Sequence, residues 1–559
     1  MKWNKKSEKI PENTKQLTEI ILENRGIPKS AIEEFLNPMH PEKLKNKAVG
    51  FDTKQFTAAV AFIKKAIIDD EKIVIFGDYD VDGICASAIL WQVLFKLYKI
   101  EHPEGLNHPV PFIPHREKHG YGISQTAIEE IIESHDPKII ITVDNGVVAH
   151  EAIAYARQKG IAVVLTDHHQ PEYIEEKPIF PSANCVVHTT QLCGATVAWM
   201  LARALDLKLA SQLLDLAGIA TIADQVPLLG ANRSFAKFGI NALQVSNNVG
   251  ISALCKAAGI VQSEISEGTV GFVIAPRINA MGRLEHGLDA LRLLCTRNKK
   301  QAEDLATVLN DTNVSRQDMT KQMLDLAQLQ AEQLAEEHIL IVFSEEFHEG
   351  ILGLIAGGLV EKFHKPAIAI TRDAGLAKAS ARSVFGVNIV DMLREIKQEL
   401  VSVGGHPMAA GFSFLPENLD TIKMRLFEIA KESISKEHLE KSLAIDCQIP
   451  VSLVSADTVV ALLVFAPYGM KNPQPVFEIS DLTIQEIKSI GKDKEHIKLR
   501  VCSSTDEMTP AFDCLGWRMN GHYSQLKVGD TVTIVGTVDI NEWRNKQFPQ
   551  VIIRDIKAK

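Results

Sequence analysis

At 559 residues the chain exceeds what one hydrophobic core accommodates, and three or four domains are expected. Its 46% hydrophobic and 23% charged content is that of an ordinary globular protein, and no stretch approaches the roughly 20 uninterrupted apolar residues of a membrane-spanning helix. A net charge of −10 argues against a protein that coats duplex DNA by bulk electrostatics, while leaving room for a locally basic channel.

Residues 1–50 are expected to form a helical, loosely packed lead-in with several prolines; MKWNKKSEKIPENTK lacks the apolar core of a secretory signal. The eight cysteines are scattered with no C-x-x-C pair, as expected of reduced thiols in a cytoplasmic protein.

From 51 to 297, short β-branched runs first alternate with helical periodicity. Ile73-Val74-Ile75-Phe76-Gly77 runs into Asp78, Asp80 and Asp82. Side chains two apart on an extended segment share a face, so these acids converge, and a bound hard cation would relieve their repulsion. Ile139–Val143 likewise runs into Asp144-Asn145-Gly146, and 161–166 into Asp167-His168-His169. Such runs read as buried strands of a doubly wound parallel sheet, whose ligand crevice lies off the carboxyl ends. Asp80, Asp82, Asp144 and His168 are therefore expected at one sheet edge, with Asp224 closing an apolar helical stretch just before Pro227. Carboxylates and an imidazole together point to a two-metal hydrolytic centre holding Mn²⁺ or Mg²⁺.

Residues 206–297 read as mostly helical, interrupted by the polar stretch 276–283. From 299 to 338 there is no proline or glycine, which predicts one connecting helix over 298–337, a rod of about 60 Å. A second α/β unit is expected over 338–440. It carries His348-Glu349-Gly350, Ser380, Arg382 and Gly404-Gly405-His406; the glycine pair reads either as a close approach to ligand or as a helix cap and turn. Alternation returns over 445–559, predicting an all-β OB-type barrel, with Phe477, Phe512, Trp517, Trp543 and Phe548 as candidates to stack on bases.

The motifs GDYDVDG (77–83), HREKHGYG (115–122), VDNG (143–146), TDHH (166–169), ADQVPL (223–228), PRINAMGRL (276–284), GGH (404–406) and PYGMKNPQPVF (467–477), in this order, closely resemble the RecJ exonucleases of the DHH phosphoesterase superfamily. The resemblance implies a DHH catalytic domain, a DHHA1 substrate-binding domain and an OB domain. It also implies a metal-dependent, single-stranded-DNA-specific 5′→3′ exonuclease of recombination and repair, releasing 5′-mononucleotides. The metal ligands it implies are Asp80, Asp82, Asp144, His168 and Asp224, with His169 next to the centre. Asp144 is a candidate bridging ligand. His169 would either act on the phosphate or leaving oxygen or hydrogen-bond a ligand. Asp78 is expected behind the ligands, because three from one short loop would crowd the metals. Arg116, Arg277, Asn279, Ser380, Arg382 and His406 are expected to hold the 5′ phosphate and backbone. A RecQ-type helicase and a single-strand-binding protein are the implied partners, and a monomer is expected.

Two departures stand out: Lys471, where the family often has glycine, and His119, where it has an acidic or small residue. Two rivals are a DHH phosphodiesterase acting on short oligonucleotides or cyclic dinucleotides, and a non-catalytic repair scaffold of the same fold. The barrel counts against the first and the full set of carboxylates against the second.

Overall fold

The computed structural model describes the chain except for Tyr121, Ala374, 506–509, Ser524 and 544–545; for Glu117, Asp373, His522 and Trp543 it describes the backbone only. Two units emerge: Lys45–Asp224 with Phe238–Lys441, and Met1–Leu44 with Gln225–Lys237 and Ser442–Lys559.

In the larger unit the expected parallel sheet is present. Its strands lie in the order Val110–Phe112, Ile73–Phe76, Ile139–Val143, Ala162–Asp167, Cys185–His188, all parallel. In chain order this is 2-1-3-4-5, so the sheet reverses direction of growth beside Ile73–Phe76, the point where α/β sheets open a crevice. Both strands flanking that crevice, Ile73–Phe76 and Ile139–Val143, are buried along their whole length. That burial explains why they read as continuous apolar runs. The 21-residue helix Val81–Glu101 is apolar enough to cross a membrane by length and composition, but it is mostly buried and packs on Gly194–Leu205 and Leu214–Ala223.

The connecting helix runs Lys299–Glu332, 34 residues, and therefore about 51 Å. It stops short of the expected 337 although 333–337 contain only good helix formers. The Lys365 ammonium donates to the carbonyls of Ala335 (2.5 Å) and Glu337 (2.7 Å), holding them in a turn that delivers Leu340–Phe343 to the second sheet. Tertiary contacts override a modest helix propensity here.

That sheet is mixed, in the order Leu400–His406, Ala409–Phe414, Leu376–Arg382, Ala367–Asp373, Leu340–Phe343. Gly404 and Gly405 lie in its edge strand, not at a helix cap. Gly405 holds φ 141°, and a Cβ there would collide with the Ala409–Ala410 backbone, so the glycine serves strand pairing.

The smaller unit corrects the expectation of a loosely packed lead-in over 1–50. Lys2–Lys5 pairs in parallel with Ser442–Ile445, and the helix Thr14–Asn24 buries Leu17, Ile20, Ile21 and Leu22 in one core with the barrel's Phe477, Ile479 and Leu482. The Gln225–Lys237 segment is held by Arg233, fully buried, whose guanidinium donates to the carbonyls of Phe35, Val464, Ala466 and Pro467 and lies over the Phe35 ring. Phe477–Ile490, His496–Ser503, Phe512–Gly516, Lys546–Ala558 and Thr531–Trp543 follow one another around a closed five-strand barrel. Of the stacking candidates, Phe477 and Phe512 are core residues, Trp517 (52% exposed) and Phe548 (47%) face solvent, and the Trp543 side chain lies outside the described residues. Lys471 holds φ 61°, the left-handed region in which the family's glycine would sit without strain. His119 is buried, with Nε2 3.1 Å from Glu130 Oε2 and Nδ1 accepting from the His115 N–H, so it braces a loop.

Candidate metal centre

The site assembles where the sheet reverses. Asp80 caps the Val81–Glu101 helix, its Oδ1 accepting from the Gly83 N–H (3.0 Å). One residue into that helix, Asp82 is aimed at the amino end of a second helix, Gly194–Leu205, and accepts from Gly194 N–H (2.6 Å) and Ala195 N–H (2.7 Å). Two backbone donors at a helix N-terminus fix the position of this carboxylate. Asp78 accepts from the Tyr79 N–H (2.6 Å) and is buried. From the neighbouring strand, Asp144 enters with φ 62°, the αL conformation that Asp tolerates better than most residues. A Cβ on Gly194 would collide with the Asp144 carboxylate, so only glycine fits at this helix start.

His168 closes the centre from the third strand. Its Nε2 lies 3.1 Å from Asp144 Oδ1, 3.6 Å from Asp82 Oδ2 and 3.8 Å from Asp224 Oδ2. The buried Asp144 Oδ1 has no hydrogen-bond partner despite that 3.1 Å approach, because the geometry is not that of a hydrogen bond. Three groups of donor atoms could each hold an ion: Asp78 with Asp80 and Asp144, Asp82 with His168 and Asp224, and Asp144 with His168 and His169. The hard oxygen-rich set with one or two imidazoles, and the orphaned Asp144 oxygen, fit Mn²⁺ or Mg²⁺.

The electrostatics lead the same way. Burial and then Asp80 push Asp78 up to about 7; burial and then Asp82 push Asp224 up to about 9; Asp80 and Asp144 are raised by burial and by the other carboxylates. Such a cluster ionises readily only with a cation among it. Burial lowers His168, keeping its imidazole neutral as a ligand must be. Asp167, wholly buried, accepts from the His168, His169 and Val147 backbone N–H groups and sits 2.8 Å from His169 Nδ1. Burial opposes charge on His169, but the Asp167 hydrogen bond and charge prevail and hold it up at about 9.

Around this centre lie arginines. Arg116 stacks over the Tyr79 ring at 5.3 Å. Arg382 donates to Ser380 Oγ (3.1 Å) and the Ala381 carbonyl; both side chains lie on one face of Leu376–Arg382, and a Cβ on Gly353 would press on the Arg382 guanidinium. His406 lies two strands over, and burial, Arg382 and His169 lower it. Arg283 donates to the Gly350 carbonyl (3.0 Å); burial, then Arg116, Arg316 and Arg382, bring it down to about 10. Among the described residues none of Arg116, Arg277, Arg283, Arg316 and Arg382 has a carboxylate within ion-pair distance, whereas Arg292, Arg372, Arg394, Arg425 and Arg500 each do.

Most residues expected from sequence converge: Asp80, Asp82, Asp144, His168, His169 and Asp224 at the centre, with Arg116, Ser380, Arg382 and His406 beside it. Asp78, expected behind the ligands, instead shares a donor group with Asp80 and Asp144. Two of the expected substrate-binding residues make contacts within the protein. Asn279 Oδ1 accepts from the Val81 N–H (3.0 Å) and so braces the acidic loop. Arg277 is tied to Asn310 Oδ1 and the Val273 carbonyl, away from the acids. Asp167, Arg283 and Arg316 were not singled out from sequence. Asp167 and Arg283 lie inside motifs already noted, whereas Arg316 sits in a featureless helix with no local signal.

Residues 72–221 match the DHH family N-terminal domain, 336–432 the DHHA1 domain and 445–555 the RecJ OB domain. The chain is 35% identical over 518 residues to the single-stranded-DNA-specific exonuclease RecJ of Bacillus subtilis, covering 90% of this chain and 64% of that protein, so it spans just under two thirds of that relative's length. Its fold is similar to RecJ of Thermus thermophilus in complex with Mn²⁺, with a TM-score of 0.81, 26% identity, and coverage of 100% of this chain and 79% of the other. An exonuclease RecJ bound to manganese is 31% identical, covering 70% of this chain and 96% of the other, with a TM-score of 0.59. Carrying DHH, DHHA1 and RecJ OB domains in that order, the chain belongs to the RecJ family.

Proposed function

We propose that the protein is a metal-dependent exonuclease that removes 5′-mononucleotides from single-stranded DNA in the 5′→3′ direction. The observation that carries this is a cluster of buried and half-buried carboxylates beside arginines that, among the described residues, form no ion pair. Asp78, Asp80 and Asp144 form one donor group, and Asp82, His168 and Asp224 the other. Asp144 groups with Asp78 and Asp80 and also with His168 and His169, so it would be the carboxylate placed to serve both groups. Mn²⁺ or Mg²⁺ bound there supplies Lewis-acid polarisation of the phosphate and a water acidified toward neutral pH.

The chain's own residues do the rest. Arg116, Arg283 and Arg382 neutralise and orient the phosphates, with Ser380 adding a hydroxyl and His406 an imidazole to the terminal group. His169, held in its charged form by Asp167, donates a proton to a phosphate or leaving oxygen. Asn279 and the Gly194 helix end keep the acidic loop in place. Capture of a terminal phosphate on the second sheet gives end-dependence and direction. Family resemblance further supports work beside a RecQ-type helicase and a single-strand-binding protein, as a cytoplasmic monomer. Digestion of a 5′-labelled single strand against its 3′-labelled twin, with Mn²⁺ and with EDTA, tests the reading. Release of labelled mononucleotide at once from the 5′-labelled strand is expected; early release from the 3′ label, or digestion in EDTA, overturns it.

A further inference from the structure

Phe272 is 85% exposed although Val270 and Ile274, in the same turn, are buried. That turn, Val270–Ile274, is π-helical, a rare geometry that clusters at functional sites. The helix Ala275–Leu284 that follows carries Pro276 in its first turn, which has no N–H to offer the preceding turn. Arg277 Nη1 donates to the Val273 oxygen at 2.8 Å. The guanidinium is thereby fixed to the turn that holds the phenyl ring outward. Its Nε reaches Asn310 on the long helix, and Asn313, three residues on, holds Arg316 at 2.7 Å. Arg316 stands near enough to Arg283 to weigh on its charge, and Arg283 adjoins Asp80.

A row of guanidinium groups, Arg283 to Arg316 to Arg277, thus leads away from the acids and ends beside Phe272. Their hydrogen-bond partners are carbonyl and carboxamide oxygens, and among the described residues Arg277 and Arg316, past Asp80, make no ion pair with a carboxylate. A Cβ on Gly271 would meet nothing within 4 Å, so the surface beside the ring is open. A lone exposed apolar side chain is ordinary. One fixed beside arginines that hold no carboxylate partner among the described residues has the make-up of a single-strand site, with charges tracking the backbone and an aromatic face for a base.

We propose that Phe272 is a base-stacking residue that fixes the register of the strand as it leaves the metal centre along Arg283, Arg316 and Arg277. The proposal rests on the single-strand exonuclease reading above. The test uses the full chain, EDTA to block hydrolysis, one fixed salt concentration and a fluorescent oligonucleotide with a 5′ phosphate. Phe272→Ala should weaken binding about 5- to 150-fold, equivalent to about 1–3 kcal/mol at 1.4 kcal/mol per decade, and Phe272→Trp should restore it. Moving one abasic site along the strand should weaken binding by the unaltered protein at a single position, and that dip should vanish in Phe272→Ala. Melting temperatures equal to that of the unaltered protein are expected, since the ring is exposed. Binding by Phe272→Ala within twofold of the unaltered protein, or an unchanged abasic profile, overturns the proposal and leaves the ring to a protein partner. Failure of the unaltered protein to digest single strands would instead overturn the functional reading.

Discussion

Asp144 concentrates the chemistry of the centre in one residue: a strand end, an αL backbone, and an oxygen buried without a hydrogen bond. Asp144→Asn keeps the shape and tolerates the positive φ better than alanine does. Outer-shell substitutions at metal sites lower activity about 10- to 100-fold, so loss of this ligand should exceed 100-fold in Mn²⁺-dependent digestion. The same change removes one of several repelling carboxylates, so the metal-free melting temperature should hold or rise. Near-unaltered turnover in the purified variant would remove Asp144 from the centre. The pH dependence has a definite sign. Asp78 and Asp224 are raised to about 7 and about 9 from an ordinary 3.8, so the folded protein binds more protons than the unfolded chain between those limits. Their stabilising contribution is complete below about 4 and is lost as pH rises through 7 to 9. His169, also raised, to about 9, loses its contribution in the same direction. The EDTA-treated protein should therefore melt at progressively lower temperature from pH 6 to 9, while saturation with Mn²⁺ flattens the curve; parallel curves would contradict the assignment. At this scale the acids were legible as a local run after an apolar strand, though not for the extended alternation expected: the strand ends at Phe76, Asp80 caps the next helix and Asp82 lies in its first turn. Arg316 was not, because nothing local in the helix Lys299–Glu332 signals its approach to Arg283.

Among the elements, Leu376–Arg382 shows how a strand sorts its residues. Alternate positions bury Ala377, Ala379 and Ala381 in the core and turn Lys378, Ser380 and Arg382 to the other face. Arg382→Ala should lose discrimination between 5′-phosphorylated and 5′-hydroxyl strands by roughly 10- to 150-fold, taking an Arg–phosphate hydrogen bond as about 1.5–3 kcal/mol. Competition between the two end chemistries at one salt concentration measures this; equal slowing of both would assign Arg382 a structural part. Strands and the long helix could be read from period and composition, but the end of that helix could not. Nothing in 333–337 breaks a helix; Lys365, some thirty residues later, does. The π turn at Val270–Ile274 was likewise hidden, since Pro276 signals a disturbance without specifying its form.

For the molecule as a whole, the division into domains by sequence order missed that the barrel is completed from three places. Truncation before Ser442 would leave Leu17, Ile20, Ile21 and Phe35 without their partners and strip Arg233 of three of its four carbonyls. The truncated protein should bind a hydrophobic dye and aggregate, and deleting 1–44 as well should relieve much of that. A single truncation as soluble and monodisperse as the intact chain would contradict the shared core. Sequence missed this because the amphipathic helix Thr14–Asn24 shows that it has a buried face but not which surface buries it.

A chain built in this way also has a history written into it. During synthesis Leu17 and Ile21 emerge about 460 residues before the first strand that covers them, Phe477–Ile490, and at about 5–20 residues per second that is a wait of roughly 23–92 s. The catalytic unit can close on itself in that interval, whereas the amino-terminal segment stays an adhesive tether until translation is nearly done. Completion of the barrel is therefore a late, long-range closure, the kind of step that depends on chaperones and on codon pace more than on the stability finally reached.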